Sequence, residues 1–134
     1  SRYVWTRYWQ LYTEAIQTGL FDIMAHPDLP KKFGLIPDGD LTSYYKPAIA
    51  AMAKLDKAFE INTAGIRKPI AEPYPTSSFL DLAYEAKIPL VISSDAHAPN
   101  EVAGYFNEAL ALAKDAGYTQ SAHFNQRKRT LINF

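Results

Sequence analysis

Asp95 and His97 stand two residues apart in Val91-Ile92-Ser93-Ser94-Asp95-Ala96-His97, directly after an apolar run from Ile88 to Ile92. Carboxylate and imidazole bind first-row divalent metals, and imidazole also exchanges protons near neutral pH. Side chains of an extended chain repeat direction every second residue, so the spacing predicts that both groups project to one side, with small Ala96 between them. The aspartate could equally cap a following helix. His26, in Ala25-His26-Pro27-Asp28, closes a second apolar run from Phe21 to Ala25. Alone it reads as a hydrogen-bonded structural histidine. At a strand end matching that of Asp95 and His97, it completes a nitrogen and oxygen donor set that suits Zn, Mn or Fe rather than Ca or Mg alone. Asp28 could orient an imidazole from behind, or serve a loop turn or a helix cap.

Glu60 and Asn62 alternate with Phe59 and Ile61, so the polar pair is expected on the interior face and the apolar pair under helices. A carboxylate there needs a partner, either a metal-ligating group or a lysine or arginine. Gly65, Arg67 and Lys68 follow in one loop, and Lys31 and Lys32 lie in the loop after His26. Arginine can grip phosphate oxygens in a bidentate fork and lysine adds a point charge, so Arg67 and Lys32 are candidate phosphate ligands, Arg67 the stronger. His123 reads as a surface residue in a polar tail segment. Glu101 reads as an acidic residue at a positive helix end. The aromatic residues Tyr3, Trp5, Tyr8, Trp9 and Tyr12 read as packing, because helical spacing explains them.

Behind these groups the chain alternates helices and strands. A helix over residues 3–18 is predicted from Tyr3, Val4, Tyr8, Leu11, Tyr12, Ala15 and Ile16, stopped by Gly19. Phe21–Ala25 is the first strand, and a loop marked by Pro27, Pro30, Gly34, Pro37 and Gly39 follows it. A helix from Asp40 or Thr42 to about Lys57 comes next, with Ile49, Met52, Ala53 and Leu55 on its buried face. Ala58–Thr63 is the second strand, Ser77–Lys87 a helix, and Ile88–Ile92 the third strand. Asn100 caps a helix to Ala116, and Arg129–Phe134 is a last strand. Alternation of this kind indicates an α/β fold of parallel βαβ units, with about four parallel strands. Functional groups of such folds collect after the strands, where His26, Asn62, Asp95 and His97 all fall. About four strands do not close a barrel, which needs roughly 200 residues or more. The first strand is therefore expected to pair with an absent N-terminal segment or with another chain.

The chain has 134 residues, 48% of them hydrophobic and 21% charged, which describes an ordinary globular domain. Fourteen basic residues balance fourteen acidic ones, so no overall field attracts nucleic acid or an anionic membrane. The absence of cysteine excludes disulfides, thiolate nucleophiles and thiolate metal sites, and fits a reducing cytoplasm. These residues show no charged start followed by an apolar run and no apolar stretch near twenty residues, so export and membrane spanning are not expected, and a start without Met points to a fragment.

Four stretches together carry a family resemblance: Phe21-Asp22-Ile23-Met24-Ala25-His26-Pro27-Asp28-Leu29, Glu60-Ile61-Asn62-Thr63-Ala64-Gly65-Ile66-Arg67-Lys68-Pro69, Tyr74-Pro75-Thr76 and Ser93-Ser94-Asp95-Ala96-His97. In order and spacing they resemble the C-terminal part of histidinol-phosphatases of the polymerase-and-histidinol-phosphatase (PHP) superfamily. The resemblance implies residues 1–134 as the C-terminal part of one distorted (β/α)7 barrel, with a cluster of two or three divalent metals. It further implies hydrolysis of L-histidinol phosphate to L-histidinol and phosphate, with a metal-bound water as nucleophile and Asp95 also moving a proton. On this reading His26, Asp95 and His97 match metal-ligand positions, Asp95 and His97 are catalytic, and Arg67 and Lys32 resemble phosphate-holding residues. The family begins with a His-x-His motif and further histidine and glutamate ligands, and none of these precedes His26 here. The expectation is a half-site that is inactive, or nearly so, as an isolated chain. Alternatives are a phosphoesterase of the same superfamily with another substrate, or a noncatalytic half-domain that packs against a partner.

Overall fold

The computed structural model describes residues 1–134. Its elements run α1 (Arg2–Gln17), β1 (Ile23–Met24), α2 (Thr42–Leu55), β2 (Ala58–Asn62), α3 (Ser77–Glu85), β3 (Leu90–Ser93), α4 (Phe106–Ala116), β4 (Gln120–Asn125) and β5 (Lys128–Asn133). Short 3₁₀ turns follow each of the first three strands, at Leu29–Phe33, Thr63–Arg67 and Pro99–Glu101. The first three strands form one parallel sheet in the order β1-β2-β3, in register Met24 with Phe59 and Phe59 with Leu90. The α/β class and the parallel sheet match expectation.

The strand count is corrected. Three strands are parallel, and the last one, β5, pairs antiparallel with β4, the segment read as a polar tail. Gln126 and Arg127 at the hairpin tip both have positive φ, at 49° and 64°. Such a two-residue turn normally advertises itself by Asn-Gly or Asp-Gly, and Gln-Arg carries no such signal. Arg127 pairs with Asp22, just before β1, and Arg129 pairs with Asp56, just before β2. The hairpin therefore lies at the ends where the parallel strands begin, leaving the other ends free for chemistry.

One cluster of buried residues joins all four α-helices to the parallel sheet. Trp5, Trp9, Tyr12 and Ile16 form the buried face of α1. Their spacing of three and four is helical, but the face is rotated from the expected one, since Tyr3, Val4 and Leu11 are exposed. The rings explain the choice: Trp9 stacks on Phe79 at 5.8 Å and meets Tyr45 edge-on at 5.1 Å. Ring pairs of this kind add about 0.5–1.5 kcal/mol beyond area burial, which favours the tryptophans over Val4 and Leu11 as core residues. In α2, Ile49 and Met52 are buried as expected, whereas Ala53 and Leu55 face solvent.

The last helix starts later than Asn100, at Phe106. Between them Ala103 and Tyr105 take positive φ, while Thr63 Oγ1 donates to Gly104 O at 2.6 Å and Ala103 N–H to Ser94 Oγ at 3.3 Å. These cross-chain bonds hold residues 102–105 over the end of β3 and prevent a continuous helix.

Candidate active site

His26, Asn62 and Asp95 come from the loops or last residues of three adjacent parallel strands. Phe59 and Ile61 are fully buried in the core, and the pleat turns Glu60 and Asn62 to the opposite face, as the alternation predicts. Glu60 finds neither lysine nor arginine. Its Oε2 accepts the main-chain N–H of His26 at 2.6 Å and the Asn62 amide at 3.3 Å, and its Oε1 accepts the Ser93 hydroxyl. One carboxylate on the middle strand thus joins the ends of all three.

Asn62 is almost wholly buried, and its side-chain amide is fully used. Nδ2 donates to Glu60 and also to Asp95 Oδ2 at 3.2 Å, while Oδ1 accepts the N–H of Ala64 at 2.9 Å. Its main chain exchanges both hydrogen bonds with Tyr74, at 2.7 and 2.9 Å. Gly65 permits this closeness, because a Cβ there would run into the carbonyl of Glu72 and the ring of Tyr74.

Asp95 and His97 are brought together, but by a turn. Asp95 has φ of 48°, so the pleat ends before it and the two-residue periodicity does not apply. The ring nitrogen Nδ1 of His97 instead lies 2.7 Å from Asp95 O and 3.8 Å from Asp95 Oδ1. The His97 side chain is 78% exposed and that of Asp95 41%, so both face the open end of the sheet.

Two further groups brace this turn. Arg67 Nη2 donates to Ser94 O at 2.9 Å and Asp95 O at 3.1 Å, and pairs with Glu101 Oε2 at 3.2 Å. Glu101 Oε2 also accepts the N–H of His97 at 2.8 Å. That N–H, with the Arg67 charge beside it, holds the Glu101 carboxyl below its ordinary range. Arg67 therefore lies beside the Asp95 turn, with Nη2 bound to its backbone. Its Nη1 is buried and unpaired.

His26 takes φ of 28°, and its position is set by groups on α1. Tyr8 donates its hydroxyl to His26 O and Tyr12 its hydroxyl to Ala25 O, both at 3.0 Å. Burial pushes both phenols well above their ordinary range, so each stays protonated as a donor. Apart from exposed Tyr3, the aromatic residues of the helix are packing, as expected, but two of its hydroxyls also hold the strand end that carries His26. Only their polar tips betray this role, and helical spacing does not. The Nδ1 of His26 is buried without a partner.

The loop after His26 separates its two lysines. Lys32 is exposed, with its ammonium 4.9 Å from the centre of the Phe33 ring, and no hydrogen bond ties it to Arg67, Asp95 or His97. Lys31 is fully buried. It donates to Pro73 O at 2.6 Å and pairs with Glu72 at 3.3 Å and Asp28 at 3.5 Å. Asp28 does serve a helix terminus, accepting the N–H of Thr76 just before α3 at 2.9 Å. Burial pushes its carboxyl up to about 7, outweighing the pull of Lys31. His123 is exposed on β4, at the opposite end of the strands.

The unpaired imidazole nitrogen of His26, after β1, and the side chains of Asp95 and His97, after β3, are donors of the type that hold a divalent metal. The structure does not gather the three: nowhere in the chain do three or more His, Asp or Glu side chains form a metal-holding group. The donor chemistry fits, and a closed site would need ligands beyond these.

No family model matches the chain. Over 122 residues the chain is 43% identical to a protein of Deinococcus radiodurans named probable histidinol-phosphatase. The matched stretch covers 90% of this chain and 45% of that relative, so the chain spans less than half the relative's length. A match of that extent includes His26 through His97, which lie well inside both ends of the chain. The chain is thus similar, through nearly all of its length and all of its strand-end cluster, to part of a probable histidinol-phosphatase.

Proposed function

We propose that this chain is part of a metal-dependent phosphomonoester hydrolase that converts L-histidinol phosphate to L-histidinol and phosphate in histidine biosynthesis, in the cytoplasm. The observation that carries the reading is the 43% identity to a probable histidinol-phosphatase across the stretch that holds His26, Asp95, His97 and Arg67. In this reading residues 1–134 contribute three parallel strands to a PHP-type barrel completed by a further segment or chain. His26, Asp95 and His97 would hold part of a cluster of two or three Zn, Mn or Fe ions. Such ions, when bound, neutralise phosphate charge and supply a nucleophilic water at neutral pH.

The chain's own residues then do the following. Asp95, one oxygen of which is engaged by Asn62, presents the other towards His97 and the open end, where it can take a proton. Arg67 sets the Asp95 loop through Nη2, and its guanidinium charge beside that turn favours a phosphate group. Exposed Lys32 adds positive charge from the first loop. No helix is long and apolar enough to cross a membrane, and a small phosphorylated metabolite is the substrate class.

A second reading, a noncatalytic unit that packs against a partner, is supported by the incomplete donor set and by the exposed Tyr3, Val4 and Leu11 on α1. One experiment separates the two. Phosphate release from L-histidinol phosphate is measured with added Mn or Zn on the intact protein, alongside its metal content by elemental analysis. Turnover with bound metal is expected. Metal-free protein without turnover would leave the packing reading. A panel of other phosphate esters tests the substrate.

A further inference from the structure

We infer that Asn62 is a positioning residue, which together with Glu60 sets the Asp95 carboxylate relative to His26; the inference rests on the hydrolase reading. Three observations carry it. First, both Nδ2 hydrogens of Asn62 are committed, one to Glu60 and one to Asp95 Oδ2, and the amide cannot flip because Oδ1 accepts the Ala64 N–H. Second, Asn62 is 1% exposed and its backbone is pinned to Tyr74 on both sides, so the amide is a rigid donor. Third, the Glu60 oxygen that receives Asn62 is the one that receives His26 N–H, giving a continuous path from β1 through β2 to the turn after β3.

The physical logic is one of sorting oxygens. Asp95 has two, and a carboxylate on a turn with positive φ rotates freely unless something holds it. Asn62 engages Oδ2 from beneath, and Oδ1 is left beside His97 at the open end. A neutral amide is suited to this place. A lysine would neutralise Asp95 and Glu60, and a carboxylate would repel both. Asn62 is buried and makes no hydrogen bond to His97, so it acts through Asp95.

The test uses the intact protein carrying this chain, with Asn62→Asp and Asn62→Ser. Asn62→Asp keeps the shape and replaces the donor by a repelling charge. Asn62→Ser withdraws the amide and leaves only a short hydroxyl, without adding charge, and serves if the first variant fails to fold. Loss of a residue that orients a ligating group lowers activity by about 10–100-fold. That loss is expected in kcat for phosphate release, with KM near its original value, since the substrate is not touched. A second readout is independent of catalysis. In ¹H–¹⁵N spectra, the side-chain amide pair of Asn62 is expected to shift on Asp95→Ala substitution. Unchanged kcat in the folded variants, or an Asn62 amide pair indifferent to Asp95→Ala, overturns the inference. Unsubstituted protein that releases no phosphate with any added metal overturns the hydrolase reading instead, and the amide spectrum still decides the link between Asn62 and Asp95.

Discussion

Arg67 and Glu101 meet at 3.2 Å across the turn that carries Asp95 and His97, and each also binds that turn's backbone. Arg67 holds Ser94 O and Asp95 O, and Glu101 holds His97 N–H. A cation and an anion from two separate 3₁₀ turns thus enclose a loop whose sequence alone offers no rigidity.

Substituting Glu101→Gln should therefore lower activity less than Arg67→Ala. Glutamine keeps an acceptor for His97 N–H and loses only the charge, whereas alanine at 67 frees two carbonyls and removes the guanidinium charge proposed to favour phosphate. Arg67→Ala is expected to lower kcat and raise KM together, by steady-state assay. The ion pair also has a pH signature. Glu101 has a lowered pKa in the folded chain, so its stabilising effect is present above the ordinary carboxylate value and is lost as pH falls through the lowered one. Backbone amide spectra of residues 94–97 taken through that range would follow the loss.

Asp28 should act in the opposite direction. Its folded pKa of about 7 lies above the ordinary 3.8, so between these values the folded chain keeps a proton that the unfolded chain has released. Stability contributed by this group is full below pH 3.8 and declines as pH rises to about 7. Urea unfolding at stepped pH should show the decline, and Asp28→Asn should flatten it.

His97→Ala is expected to abolish metal-dependent phosphate release in the complete protein, whereas His123→Ala, exposed on β4, should leave it intact. Measuring both by the same assay separates a loss of site chemistry from a loss of any imidazole. Retained activity in His97→Ala would refute the site assignment.

Phe79 lies under three other rings, those of Trp9, Tyr45 and Phe59, and is wholly buried. Phe79→Ala should cost about 3–5 kcal/mol of stability, since the cavity adds to the lost transfer energy. Urea denaturation monitored by tryptophan fluorescence reads this directly, because Trp9 stacks on the removed ring.

Much of the architecture was legible because it rests on local rules. Alternation on β2 marks Glu60 and Asn62 as inward-facing, and apolar runs ending in His26 and Ser93 locate two strand ends. Helix C-terminal ends follow from periodicity and from glycine stops, as at Gly117. The α1 face was misplaced because periodicity admits two overlapping stripes, and only the rings of Tyr45 and Phe79 opposite decide which one is buried. The β4–β5 hairpin was missed because a Gln-Arg turn is held by Arg127 with Asp22 and Arg129 with Asp56, contacts about a hundred and about seventy residues apart in sequence.

The sequence by itself determined which chemistry is available: imidazoles, carboxylates and one arginine placed after apolar strands, with no thiol among them. Tertiary structure alone decided how these groups meet. Asp95 and His97 converge through a turn with positive φ that Arg67 and Glu101 brace, Lys31 is buried while Lys32 is left in solvent, and Glu60 binds His26 across a strand boundary. The reason is physical: residue type and period are local properties, whereas a hydrogen bond between strands depends on register, and register is settled only when the whole sheet packs against its helices.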